Sequence, residues 1–311
     1  MLDVSAPTRL DFGGGWTDVP PYPEERGGFV CNLAVDRRAT VRLRRGALDA
    51  GADPLVRAAL ERAGRTDCTA VLANDFPVGA GLGGSSAAGV ALAAALAQLQ
   101  GLPHDPSALA EASRAVEVGV LGIAGGRQDH YAAAYGGALG LSFDGRTSVE
   151  RIPLSESTVQ TLEARVTVIY SGESRISAET ITAVLDAYGA RDKRVVSALD
   201  RMALLARAMR AALHAGDVST LAHLVDEHWV HQQSLHPRIT TSRIQAIESA
   251  VRTAGATGFK ALGASGGGCV LAISSADDAP AVRAAVAGLG EVLEWRVARE
   301  GVRVESSRTA Q

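Results

Sequence analysis

Hydrophobic and polar positions change rhythm about halfway along the chain. Over residues 1–45, short β-branched or alternating runs (VSAPTRLDF, GGFVCNLAV and ATVRLRR) surround a glycine turn, GGGWTDVPPY, and predict strands. Helical spacing over 52–63 precedes a strand, TAVLAND at 69–75. Ser85 to Gln100 predicts a helix stopped by Gly101 and Pro103. Ser107 at a cap position, Glu111 in an early turn and apolar positions to about Val120 predict another. GGRQDHYAAAYGG, 125–137, reads as a loop with a short helical piece, and ALGLSFDG and SVERIPL as paired strands.

Beyond Pro153 the spacing lengthens. RVTVIYSG, 165–172, reads as a buried strand, followed by helical stretches at 176–190, 192–215, 217–235 and 241–254. FKALGASGGGCVLAIS, 259–274, reads as strand, glycine turn, strand. Residues 278–288 read as helix, and LEWRVARE and GVRVES as closing strands. A β-rich first half and a helix-plus-sheet second half predict an α+β protein of two domains, 1–153 and 154–311.

Composition narrows the function classes. With 311 residues, 47% of them hydrophobic, the chain can build a substantial core. A net charge of −3 gives no bulk attraction to nucleic acid or an anionic membrane. The only lysines are Lys193 and Lys260, so nearly all positive charge is arginine. Three scattered cysteines, Cys31, Cys68 and Cys269, argue against a disulfide framework and a zinc site. The opening MLDVSAPTRLDF has no apolar signal core, and no window approaches ~18 apolar residues. The expectation is a soluble, cytoplasmic protein.

Three glycine-rich stretches carry candidate chemistry. PVGAGLGGSSAAG, from Pro77, contains Gly79-x-Gly81-x-x-Gly84 and runs into a helix. It lacks the second strand and acidic residue of a dinucleotide site and the lysine of a Walker loop. What remains is an anion site made of exposed amides at a helix N-terminus, with Ser85 and Ser86 suited to a phosphate or its Mg²⁺. A tight turn needing glycine at positive φ would look the same. In RLDFGGGWTDVPPY, Asp11 and Asp18 offer acceptors suited to a polyol and Arg9 a cationic fork, although a hairpin with solvated charges would share this pattern. KALGASGGGCVLAI places a polar glycine run between apolar strands just after Lys260, which could equally be a solvated strand end.

Asp129, in a glycine-flanked loop two residues after Arg127, suits a general base beside a cation. His130 reads as a surface or packing histidine. His223, His228, His231 and His236 share a helical region but lack an acidic ligand pattern, which disfavours a metal site.

Together, APTRLDFGGGWTD, PVGAGLGGSSAAG and LGASGGGCV resemble, in order, the three motifs of the GHMP kinases, the galactokinase, homoserine kinase, mevalonate kinase and phosphomevalonate kinase superfamily. GGWTDVPPY is similar to L-fucokinases. GGRQDHYAAAYGG, YSGESRISAETI, DEHWVHQQSLHPRIT and FKALGASGGGCVL are more similar to heptose 7-phosphate kinases. Gly84 and Trp16 depart from the serine-rich and GGGTD-type patterns.

The resemblance implies a ribosomal protein S5 domain 2-like N-terminal half, a ferredoxin-like C-terminal half and a cleft between them. It implies an ATP-dependent sugar 1-kinase acting on a heptose 7-phosphate, with L-fucokinase as the alternative. Gly79, Gly81, Leu82, Gly83, Gly84, Ser85 and Ser86 would bind ATP, with Ser86 and Glu117 on Mg²⁺. Asp129 would be the base and Arg9 its partner near the transferring phosphoryl. Asp18, with Gly14, Gly15 and Trp16, would meet the sugar, under a lid of Gly266 and Gly267. Arg175, Lys260 and Arg127 are the cations available for a 7-phosphate. Helical faces in the second half could pair into a homodimer.

Overall fold

The computed structural model describes residues 1–49, 51–173 and 177–306. Its first sheet is built on two long strands, β1 (Leu2–Gly13) and β2 (Gly28–Arg45), paired antiparallel with irregularities at Pro7/Thr8 and Asp11/Gly13. β3 (Cys68–Asn74) pairs with the later half of β2 and β4 (Ala138–Phe143) with its earlier half; β5 (Thr147–Ile152) closes a hairpin on β4. The second sheet contains β6 (Val166–Tyr170), β7 (Gly258–Ala261), β8 (Cys269–Ile273) and β9 (Glu291–Leu293), antiparallel in the order β7-β8-β6-β9. The last strand, β10 (Arg303–Ser306), returns to the first sheet beside β1.

That return explains why LEWRVARE is not a full strand. After β9 the chain leaves the second sheet, held by Trp295 Nε1 donating to Val166 O and by Asp36 N donating to Arg296 O. Beyond β9, only the isolated bridge Val35–Val297 remains of the expected LEWRVARE strand. The change of rhythm near Pro153 still falls between the two sheets.

The first half holds α1 (Tyr22–Arg26), α2 (Pro54–Arg62), α3 (Gly84–Gln100), α4 (Pro106–Arg114) and α5 (Gln128–Tyr135). The second holds α6 (Glu156–Arg165), α7 (Ser177–Gly189), α8 (Lys193–Ala215), α9 (Val218–Leu235), α10 (Ser242–Thr253) and α11 (Ala279–Ala285). α6 was not anticipated from the spacing; Ser155 caps it by accepting from Thr158 N at 3.0 Å. α4 begins earlier than Ser107, because Asp105 is its cap, accepting from Ala108 N at 2.8 Å. It continues as a π-helical turn, Ala115–Val120.

α3 is buried along most of its length, its alanines allowing close packing on β1, β2, α4 and α5. One apolar cluster joins Leu10, Phe12 and Leu33 of the first sheet to Leu162, Val166 and Leu271 of the second half. Each such side chain stabilises by roughly 1.5–3 kcal/mol on full burial. The two halves therefore share a core beneath the cleft.

Candidate active site

The glycine loop ends in an αL residue, Gly83 (φ 78°), directly before α3. No side chain caps α3, so its first-turn amides face the cleft with the positive end of the helix dipole behind them. A Cβ on Gly83 would lie 3.0 Å from the Asp129 carboxyl carbon. Glycine is needed there both for its backbone angle and to let the carboxylate approach. Leu82 points its side chain into the core and offers the loop only its backbone, whose carbonyl accepts from Arg9 N at 3.0 Å. Ser85 is exposed and Ser86 buried.

Arg9, from the middle of β1, is 2% exposed. Its Nη1 donates to Gly81 O at 2.7 Å, tying it to the loop. Its Nε and Nη2 both reach Asp129 Oδ1, at 2.8 and 2.7 Å. Asp129 lies in the first turn of α5. The cation beside this candidate base is thus Arg9, not the sequence-adjacent Arg127. The Arg127 side chain turns outward to Glu24 at 3.8 Å and Glu111 at 3.9 Å.

Asp18 Oδ2 accepts from the backbone N–H groups of Arg127 and Gln128, at 2.8 and 2.9 Å, and so holds the start of α5. Gly126 leaves room for it, since a Cβ there would fall 1.9 Å from Asp18 Oδ2. Burial, with Asp129 and Asp11 nearby, pushes the Asp18 carboxyl up to about 6 against the pull of those two N–H bonds. Asp11 goes the other way. Burial acts to raise it, but the charges of Lys260 and Arg9 outweigh burial and hold it below the usual carboxylate range.

Lys260 is fully buried on β7 and lies beneath Asp11, donating to its carbonyl at 2.7 Å and pairing with Oδ2 at 3.0 Å. It is neither a solvated strand end nor a free phosphate ligand. Its charge is already committed to Asp11. Trp16 is buried with φ 78°, a conformation that fits its replacement of a glycine in the turn pattern, and its Nε1 has no partner.

Ser86 Oγ donates to Glu117 Oε2 at 2.8 Å. Burial acts to raise the Glu117 carboxyl, but His130 and the serine hydroxyls outweigh it and hold it at about 2. An ionised carboxylate and a hydroxyl at the start of α3 are the hard oxygen donors that Mg²⁺ takes when phosphates complete its shell. Among the described residues no group of three His, Cys, Asp or Glu could hold a metal. Two protein oxygens beside the glycine loop would therefore fit Mg²⁺ delivered with a nucleotide. His228 does not enter such a site; burial lowers it well below the usual histidine value, and its Nε2 accepts from Gly14 N at 2.9 Å.

Two cavities meet here. One, about 280 Å³, is lined by the glycine loop together with Leu55, Leu72, Asn74 and Phe76 of the α2–β3 region. The other, about 110 Å³, is lined by Asp11, Gly15, Trp16, Asp18 and Gln128 on one side and Gly263 and Ala264 on another. They share Ser86, Glu117 and Asp129. Gly266 and Gly267 do not line the second cavity. Gly266 N donates to Ile239 O, Gly268 N to Glu173 O and Cys269 N to Ala80 O, so this turn braces the glycine loop. Arg175 lies outside the described residues.

Two family profiles match the chain, "GHMP kinases N terminal domain" over residues 53–137 and "GHMP kinases C terminal" over 209–291. The chain belongs to the GHMP kinases. These are ATP-dependent phosphotransferases, and the motif resemblance and two-domain fold expected from sequence hold. This GHMP kinase is 28% identical over 315 residues to a bifunctional fucokinase/GDP-fucose pyrophosphorylase of Arabidopsis thaliana, covering 87% of the chain but 30% of that protein. It is 28% identical over 197 residues to a D-glycero-alpha-D-manno-heptose 7-phosphate kinase of Campylobacter jejuni, covering 63% of the chain and 58% of that enzyme. A mevalonate kinase of Thermococcus sibiricus is 29% identical over 249 residues, covering 76% of the chain and 69% of that enzyme. In fold, a D-glycero-D-manno-heptose 1-phosphate kinase from Bacteroides thetaiotaomicron superposes with TM-score 0.81 at 21% identity, covering 99% of this chain and 100% of that one.

Sequence reading missed Asp11 as a charged partner of Lys260, the contact of His130 with Glu117, and the Leu55–Phe76 end of the glycine-loop cavity. The first two depend on contacts between distant strands and helices. The third is an apolar surface with no motif.

Proposed function

We propose that this chain transfers the γ-phosphoryl group of ATP to the anomeric hydroxyl of a heptose 7-phosphate. The observation carrying the phosphotransfer reading is that Ser86, Glu117 and Asp129 belong to both cavities. A phosphoryl group held by the α3 amides would emerge into the second cavity beside Asp129. Asp11 and Asp18 in that cavity offer acceptor oxygens suited to the hydroxyl donors of a sugar.

In this mechanism Arg9 fixes Asp129 through Oδ1, leaving Oδ2 to take the proton of the acceptor hydroxyl. The acceptor oxygen bonds to the γ-phosphorus as the bridge to ADP breaks. Ser86 and Glu117 would hold Mg²⁺, whose chemistry when bound is to neutralise the β- and γ-phosphate oxygens. Asp18 both supports α5 and faces the sugar.

One observation favours the free-sugar alternative, an L-fucokinase-like enzyme. Lys260 is paired with Asp11, and Arg127 lies between Glu24 and Glu111, which leaves Arg175 as the expected cation for a 7-phosphate. The test is ADP release with ATP and Mg²⁺, comparing D-glycero-D-manno-heptose 7-phosphate, the unphosphorylated heptose, L-fucose and mevalonate. Turnover with the 7-phosphate alone supports the proposal. Turnover with a free sugar moves the enzyme to the alternative, and turnover with mevalonate overturns both.

A further inference from the structure

His130 touches a carboxylate of the site, yet no step of the proposed reaction uses it. Its ring is 2% exposed. Nε2 lies 3.1 Å from Glu117 Oε2, and Nδ1 lies 2.9 Å from Ser113 Oγ. The Glu117 carboxylate can only accept, so Nε2 carries the hydrogen in this contact. In that tautomer Nδ1 accepts and the Ser113 hydroxyl donates. The other acceptor near that hydroxyl, Ser86 O, is more distant at 3.4 Å. Ser86 Oγ and His130 Nε2 thus converge on the same oxygen of Glu117, from two different helices. Oε1 takes neither bond. Glu117 itself stands on the π-helical turn after α4, a segment without the regular backbone ladder of an α-helix to fix it.

We infer that His130 is a positioning residue for the metal ligand. It fixes the Glu117 carboxylate so that Oε1 is presented beside Ser86, and it couples that ligand to α5, where the neighbouring residue is Asp129. Ser113 sets the tautomer from behind. The inference rests on the reading of Ser86 and Glu117 as Mg²⁺ ligands.

The experiment uses Mn²⁺ as the probe. Free Mn²⁺ is titrated by electron paramagnetic resonance against the full chain with ADP, for the wild type and for Glu117→Gln, His130→Gln and His130→Asn. The amide nitrogen of glutamine reaches the place of Nε2, whereas asparagine reaches only the place of Nδ1. Expected is a loss of Mn²⁺ affinity of roughly tenfold or more in His130→Asn, with His130→Gln restored to within about threefold of wild type. Thermal unfolding of each variant is measured alongside, because a purely structural histidine would lower stability without separating the two replacements. Equal affinity in both histidine variants, with Glu117→Gln weakened, overturns the positioning role and leaves the ligand reading standing. Unchanged affinity in Glu117→Gln overturns the ligand reading and the inference with it.

Discussion

Arg9 binds a single oxygen of Asp129 twice, through Nε at 2.8 Å and Nη2 at 2.7 Å, across 120 residues of chain. The same guanidinium holds Gly81 O at 2.7 Å. One buried side chain therefore sets the distance between the glycine loop and the candidate base. A planar fork suits this task, and a lysine could not make all these contacts at once.

Asp129→Asn is expected to lower kcat by at least ~10²-fold, the range for loss of a general base. Nucleotide affinity should hold, since the loop and α3 are untouched. Isothermal titration with ADP and steady-state turnover check the two halves of this expectation. A fully active variant removes Asp129 from the proton-transfer step.

Gly83→Ala combines an αL backbone (φ 78°) with a Cβ placed 3.0 Å from the Asp129 carboxyl carbon. The backbone cost is roughly 1–2 kcal/mol. The larger effect should be on kcat, because displacing Asp129 breaks its register with Arg9. Comparing urea unfolding with kcat separates these contributions. Wild-type turnover would show that the close approach is not needed.

Lys260→Met leaves Asp11 buried without its charge partner, and the expected loss of stability is about 3–5 kcal/mol. Adding Asp11→Asn should recover part of that loss, since the uncompensated charge then disappears. Equilibrium unfolding of the single and double variants measures the coupling. A Lys260→Met protein of normal stability with a raised KM for the acceptor would return Lys260 to the role of a phosphate ligand.

The Asp18 carboxyl, raised from 3.8 to about 6, binds its proton more tightly in the folded protein than in the unfolded chain. Its contribution to stability is therefore fully present below pH ~4 and is lost as pH rises through about 6, on the order of 3 kcal/mol in total. Asp18→Asn should flatten the Tm profile in that window. Glu117, held at about 2, works in the opposite sense and at lower pH, its stabilisation falling away between about 4.5 and 2. An unchanged profile between pH 4 and 6 in Asp18→Asn argues against a titrating Asp18.

Much of the site was legible because its parts are local. Gly79 to Ser86 must form a turn at a helix start, which offers exposed amides suited to an anion. The motif order carried the family and the two-domain fold. Lys260, expected among the cations for a 7-phosphate, is committed to Asp11 instead. Only the fold, which brings the Lys260 side chain of the second sheet to Asp11 of the first, buries it there. Arg127 was misjudged for a related reason. Nearness in sequence to Asp129 did not make it the partner, because α5 begins between them and points the two side chains apart.

The sequence by itself determined what short-range physics can fix: strand and helix periods, the glycine turns, the glycine loop at the start of α3 and the presence of Arg9, Asp18, Glu117 and Asp129. Tertiary structure decided which of these meet. Arg9 and Asp129, Lys260 and Asp11, and His130, Ser86 and Glu117 are joined across strands and helices far apart in the chain. Buried charges and polar groups must find partners wherever the fold puts them, and no local pattern records those choices.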